Sequence, residues 1–189
     1  MNFFRVKDRG RPPLRHCTRV VPSLHQGPHG VGLRTICREI EVLSVSVFCV
    51  LLLLLTTLIH YEALRLLTAG LPKIAVPGRT KLIVVILGTF LAHALEMLLF
   101  AVAFWVLANL IGAGTLGTAG GATFSSCLYF SAETYTSLGY GDIVPSGPLR
   151  LLAGMEALNG LLLIGWSASY IYISMERLWG DVRKAGAER

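Results

Sequence analysis

Three long apolar stretches restrict the folds that this sequence can adopt. They cover residues 42–59, 82–111 and 149–175, and the first contains no charged residue. A helix of 18 residues rises about 27 Å, close to the thickness of the hydrocarbon core of a bilayer. Charged residues make up 15% of the chain, whereas a soluble domain has roughly 25%. The sequence therefore predicts an all-α membrane protein with three transmembrane helices.

A fourth segment, 123–136, is too short to cross a bilayer as a helix. Because non-helical backbone at membrane depth needs protein or water around it, we expect this segment to enter the membrane and return. The following residues, 137–141, have glycine at alternate positions, Gly139 and Gly141. Left-handed backbone is inexpensive only for glycine. Alternating handedness would make successive carbonyls converge on one axis, which suits a weakly hydrated monovalent cation.

The stretch SAETYTSLGYGD, residues 131–142, resembles the pore helix and selectivity filter of potassium channels, in which backbone carbonyls replace the hydration shell of the ion. The resemblance extends over about 82–175 and implies a re-entrant pore helix and a filter loop between the last two helices. It also implies a homotetramer. Two residues depart from the family pattern, since Ser137 replaces the usual threonine and Leu138 the usual valine.

The resemblance assigns roles to individual residues. The potassium ions would be bound by Ser137, Leu138, Gly139, Tyr140 and Gly141. Tyr129 and Phe130 fall where the family has an aromatic cuff around the filter, and Glu133 falls where some members have a buried carboxylate behind it. Gly160 falls at the gating glycine of the inner helix when one deletion is allowed.

Two acids flank the candidate filter. Glu133 lies near the end of the short helix and Asp142 directly follows Gly141. An extended segment of five residues would rise beside the helix that it has just left, so we expect the two carboxyl groups to meet behind it. Because two carboxylates in contact do not both ionise cheaply, they would share a proton.

Other polar residues interrupt the apolar stretches. His93 and Glu96 are spaced i, i+3 on one helix face, which fits a structural hydrogen-bonded pair, a gating or proton-sensing pair, or an interfacial position. Glu156 is a further candidate gating residue, and it faces either a cavity or a neighbouring helix. Gly160 and Gly165 fit either a gating hinge or close helix packing. His60, at the end of the first apolar stretch, is predicted to lie at the membrane interface.

The composition divides the chain into five parts. We predict a basic, disordered N-terminal tail at 1–40, an additional transmembrane helix at 41–67, and a basic loop at 68–81. An ion-channel pore module follows at 82–176 and a charged tail at 177–189. Because no Lys or Arg occurs between 112 and 149, that side is expected to face outward.

The remaining features exclude other functions. The net charge is +6, but eight of the 17 Lys and Arg lie in the first 40 residues, which fits a lipid surface better than nucleic acid. The four cysteines have no metal-site spacing, and no motif indicates an enzyme or a cofactor other than permeant potassium. We therefore predict a multi-pass potassium-selective channel of the cell membrane. A cation channel of relaxed selectivity and a non-conducting membrane scaffold are the alternatives.

Overall fold

A computed structural model describes residues 29–73, 75, 77–117 and 122–187. Helix α1 covers His29–Gly70 and is followed by a 3₁₀ turn, Leu71–Lys73. Helix α2 covers Gly78–Val106 and continues into a π-helical turn, Leu107–Ile111. Helix α3 covers Phe124–Tyr135, and helix α4 covers Leu149–Ala187. The described part of the chain contains no strand beyond one isolated bridge, between Leu116 and Pro145.

Among the described residues, three helices are long and apolar enough to cross a membrane. The candidate spans are Glu39–Lys73, Arg79–Ile111 and Leu149–Arg177, with mean hydropathies of 2.8, 2.3 and 1.4. The prediction of an all-helical membrane protein with three such helices is confirmed. Helices α1 and α4, with 42 and 39 residues, are longer than their apolar stretches, because helical hydrogen bonding continues through flanking polar residues where nothing breaks it.

Several predicted boundaries need correction. Helix α1 begins at His29, so the part of the predicted N-terminal tail that is described is helical; residues 1–28 lie outside the described residues. The predicted basic loop at 68–81 is helical at both ends, and only 74–77 separate the 3₁₀ turn from α2. The predicted C-terminal tail continues α4 as far as Ala187, because 177–187 contain neither proline nor a run of like charges that would end a helix.

The compact unit from Cys37 onward has its core where α2, α3 and α4 approach one another. Large buried apolar side chains there include Phe100, Phe104, Leu107, Tyr135 and Leu152. The rings of Phe104 on α2 and Phe130 on α3 pack edge to face, with centroids 5.0 Å apart. Helix α1 adds Val45, Cys49 and Leu52 to the same core. The short helix is thereby fixed among the long ones.

Hydrogen bonds hold both ends of the region around α3. The Thr123 side chain caps the helix by accepting from the N–H of Ser126 at 3.2 Å. Beyond the helix, the chain returns to the segment that precedes it, where the Gly117 N–H donates to Val144 O and the Ser146 N–H donates to Thr115 O. These contacts hold the chain that follows residues 137–141 against the segment that precedes α3.

Candidate functional site: the segment after the short helix

The backbone alternates in handedness in the segment after α3. Ser137, Gly139 and Gly141 have φ values of 57°, 55° and 80°. Leu138 and Tyr140, which lie between them, do not have positive φ. The sequence predicted left-handed backbone at the two glycines. It did not predict it at Ser137, because a serine in this conformation costs roughly 1–2 kcal/mol and the amino-acid type gives no sign of it.

Glu133 binds the N–H groups of this segment. Its main-chain oxygen accepts from the N–H of Leu138 at 2.8 Å and from that of Gly139 at 3.3 Å. Its side-chain Oε2 accepts from the N–H of Tyr140 at 3.2 Å. One residue of α3 therefore holds three successive N–H groups. Within the described residues, no carbonyl oxygen of 137–141 accepts a hydrogen bond.

Glu133 and Asp142 do not form the expected pair. Among the described residues, no hydrogen bond joins them; the Glu133 carboxylate is turned toward Tyr140, and Asp142 Oδ1 accepts from the N–H of Ile143 at 3.1 Å. The prediction that the two carboxyl groups meet is therefore wrong within this chain. The Glu133 carboxylate instead accepts a hydrogen bond from the backbone N–H of Tyr140, which lies beside it.

The two aromatic residues predicted to surround the segment differ in environment. Phe130 is buried against Phe104, whereas Tyr129 is 41% exposed. Leu138 and Tyr140, within the segment, are 58% and 69% exposed. These exposed side chains are free to contact other copies of the same chain.

The two glycines of α4 have different surroundings. A Cβ on Gly160 would come within 2.1 Å of the main-chain oxygen of Tyr135, whereas a Cβ on Gly165 would meet nothing within 4 Å. Gly160 is therefore a position of close helix packing, where α4 crosses the end of α3.

Glu156 and Asn159 bond to neighbouring helices. The Ser131 hydroxyl of α3 donates to Glu156 Oε1 and also lies 2.8 Å from the main-chain oxygen of Met97. The other carboxylate oxygen of Glu156 is buried and has no partner among the described residues. The Asn159 amide donates to Thr56 Oγ1 of α1 at 3.0 Å. Glu156 therefore contacts a neighbouring helix, α3, which is one of the two alternatives that the sequence left open.

His93 and Glu96 do hydrogen-bond to each other, at 3.3 Å between Nδ1 and Oε2. They belong to a larger buried group that includes His60, which is fully buried rather than interfacial. Sequence reasoning missed His60 because its position at the end of an uncharged stretch looked like a membrane boundary, although α1 continues for ten residues beyond it.

Comparison with known proteins identifies the family to which the chain belongs. A family described as "Ion channel" matches residues 80–177. The chain belongs to this ion-channel family. It is also similar to the inward rectifier potassium channel Kirbac3.1 of Paramagnetospirillum magnetotacticum, with 36% identity over 76 residues. That alignment covers 40% of this chain, and the chain spans about a quarter, 26%, of the relative's length. No solved structure matches the chain.

These findings confirm the predicted resemblance to the potassium-channel pore family. Ion-channel membership agrees with the three apolar helices and with a role in the membrane.

Proposed function

We propose that this protein is a potassium-selective channel that conducts passively through a filter formed by residues 137–141 of four identical chains. The observation that carries the proposal is the alternation of positive φ at Ser137, Gly139 and Gly141. Alternating handedness turns successive carbonyl oxygens to the same side of a strand, where they replace the hydration shell of a cation.

The contacts of Glu133 support the same function. Its two acceptors hold the N–H groups of Leu138, Gly139 and Tyr140 on the side of α3. In a filter, the carbonyl side must face the ions and the N–H side must be held by protein. The C-terminal end of α3, which carries the negative end of the helix dipole, lies next to residues 137–141. A cation near that end is stabilised by the dipole.

The proposed tetramer follows from the stoichiometry of the site. One chain contributes one such segment, and a closed ring of oxygens around an ion needs several copies related by cyclic symmetry. The exposed Leu138 and Tyr140 side chains would pack against neighbouring copies. Native mass measurement of the purified protein should give four chains, and a stable dimer would contradict this assembly.

Flux from liposomes containing the purified protein tests conduction and selectivity. We expect potassium efflux with little sodium flux under matched gradients. Equal fluxes of the two ions would indicate a cation channel of relaxed selectivity. A folded tetramer without flux would indicate a scaffold.

Glycine substitutions test whether this segment forms the filter. Gly139→Ala and Gly141→Ala place a side chain in left-handed backbone, at about 1–2 kcal/mol per chain and roughly 4–8 kcal/mol per tetramer. Neither Cβ would meet an atom within 4 Å, so backbone strain is the cause. We expect selective flux to be lost. The matched control is Gly154→Ala, a helical glycine of α4 that is equally unobstructed, and its flux should remain normal.

A further inference from the structure

Five polar side chains from all four helices meet in one buried cluster, which we call the histidine–glutamate cluster. Its members are His60 of α1, His93 and Glu96 of α2, Tyr135 of α3 and Ser167 of α4. His60 and Glu96 are fully buried, and Ser167 is 4% exposed. Ionisable groups inside a membrane protein are expensive and commonly have a specific role.

The two imidazoles are arranged alike around two acceptors. His60 Nδ1 lies 2.9 Å from Glu96 Oε1, and His93 Nδ1 lies 3.3 Å from Oε2 of the same carboxylate. On their other side, both Nε2 atoms face one oxygen, Ser167 Oγ, at 3.1 Å from His60 and 3.0 Å from His93. Tyr135 closes the cluster by donating to Glu96 Oε2, with its oxygen 2.8 Å from His93 Nδ1.

A count of hydrogens shows that neutral imidazoles leave this cluster one hydrogen short. A neutral imidazole carries one N–H, and a serine hydroxyl has one hydrogen to donate. If both Nδ1 atoms are protonated, both Nε2 atoms are acceptors, and Ser167 can donate to only one of them. If the Nε2 of His60 is protonated instead, its Nδ1 faces Glu96 Oε1 as acceptor against acceptor. If the Nε2 of His93 is protonated, its Nδ1 can accept only from Tyr135, whose single hydrogen is then missing from the contact with Glu96 Oε2.

One added proton satisfies every contact. With one imidazole doubly protonated, both Nδ1–H groups donate toward Glu96, the charged ring's Nε2–H donates to Ser167, and Ser167 donates to the other ring. Rotation of the Ser167 hydroxyl exchanges the roles of the two rings. The added charge is neutralised by the Glu96 carboxylate, so the buried cluster has no net charge. A divalent metal ion on the same atoms would leave a net positive charge in a low-dielectric interior, which is costly.

We propose that His60 and His93 together bind one proton taken from water, and that this proton fastens α3 to the three long helices. Tyr135, the last residue of α3, is bonded directly to the cluster and precedes Ser137 by two residues. Loss of the proton leaves one acceptor–acceptor contact, at Ser167, at Glu96 or between Tyr135 and Glu96, and so weakens the cluster to which the end of α3 is bonded.

The groups that face this proton come from every helix. Within the part of the chain that the structure describes, α1 contributes His60, α2 contributes His93 and Glu96, and α3 contributes Tyr135. Helix α4 contributes the uncharged Ser167 and the ring of Trp166, 5.4 Å from His60. The buried acid of α4, Glu156, is bonded to Ser131 instead. No Lys or Arg side chain of the described residues bonds to the cluster, so Glu96 is the counter-charge.

The sign of the pH dependence follows from proton linkage. An imidazole in water releases its proton near pH 6.5, so above that pH the folded protein would hold about one proton more than the unfolded chain. Stability then falls as pH rises, with the unfolding equilibrium shifting by up to about tenfold per pH unit until the cluster itself releases its proton. The test is reversible unfolding of the protein in detergent micelles between pH 6.5 and 9.

Glu96→Gln is the decisive variant. The glutamine amide has two N–H hydrogens to donate. The hydrogen bonds of the cluster can then be satisfied with both imidazoles neutral, so the protein should remain folded. We expect its stability to lose the pH-dependent slope over this range. Glu62→Gln is the matched control, since Glu62 is an exposed acid paired with Arg65 on α1, and the slope should persist there. Equal slopes in the native protein and Glu96→Gln, or no slope in the native protein, would overturn the proposal.

Nitrogen-15 spectra of histidine-labelled protein supply a direct readout, with His60→Gln and His93→Gln assigning the signals. We expect the equivalent of one doubly protonated ring at pH 7. Two neutral rings at that pH, or one bound metal per chain in metal analysis with unfolding that responds to chelator, would overturn it. Neither readout requires ion flux, so the result is independent of the proposed conduction.

Discussion

The main-chain carbonyl of Tyr135 lies directly against Gly160, so that a Cβ at position 160 would come within 2.1 Å of its oxygen. The oxygen belongs to backbone and cannot rotate away as a flexible side chain would. This contact holds Tyr135, the last residue of α3, against α4. The hydroxyl of the same tyrosine belongs to the histidine–glutamate cluster.

Gly160→Ala should therefore destabilise the fold. Overpacking of this kind typically costs about 1–3 kcal/mol, and thermal unfolding in detergent measures it. Gly165→Ala is the control, because a Cβ there meets nothing within 4 Å, and its stability should be unchanged. If Gly160 acted as a hinge and not as a packing residue, Gly160→Ala would alter channel opening while leaving thermal stability intact.

Substitutions at Glu133 distinguish its bond to Tyr140 from a proton shared with Asp142. Glu133→Gln keeps an oxygen that can accept from the Tyr140 N–H, and we expect potassium flux close to normal. Glu133→Ala leaves that N–H without its acceptor, at about 1–3 kcal/mol, and should lower flux. Liposome flux of both variants at neutral pH is the measurement. Similar losses in both would show that the acid itself, and not an acceptor oxygen, is required.

The bond between Thr56 and Asn159 predicts that α1 is an integral part of the bundle. Thr56→Val and Asn159→Leu each remove one partner of this buried contact, which is 3.0 Å long. Interhelical hydrogen bonds in membranes average about 0.6 kcal/mol in double-mutant cycles. We expect a coupling of that order from unfolding of the two single variants and the double variant. Strict additivity would mean that the contact contributes nothing.

Topology can be tested through Cys17. With three spans and an outward-facing region between 112 and 149, the N-terminal side of α1 should face outward as well. A membrane-impermeant thiol reagent is expected to label Cys17 from the outside, and Cys17→Ser provides the background. Labelling from the cytoplasmic side alone would reverse the predicted orientation or show that α1 does not span.

Much of the architecture follows from local features of the chain. The length of the apolar stretches predicts three helices that can cross a membrane, since helix rise and bilayer thickness are both fixed quantities. Glycine at 139 and 141 predicts left-handed backbone there, because only glycine adopts it without cost. These properties depend on residue type and spacing, and the described helices and dihedrals agree with them. The filter role and the tetramer remain predictions.

Contacts between helices could not be derived in this way. His60 joins Glu96, 36 residues away, and Glu133 turns to Tyr140 rather than to Asp142. Each outcome depends on where a helix face or an emerging N–H lies once the helices have packed, to within about an ångström. The sequence by itself determined that three long segments are apolar enough to span as helices and where glycine permits a left-handed turn, but not where α1 and α4 begin and end. Tertiary structure alone decided the partners of the buried polar groups, because hydrogen bonding is short-ranged and directional whereas sequence pattern reports only which face a residue occupies.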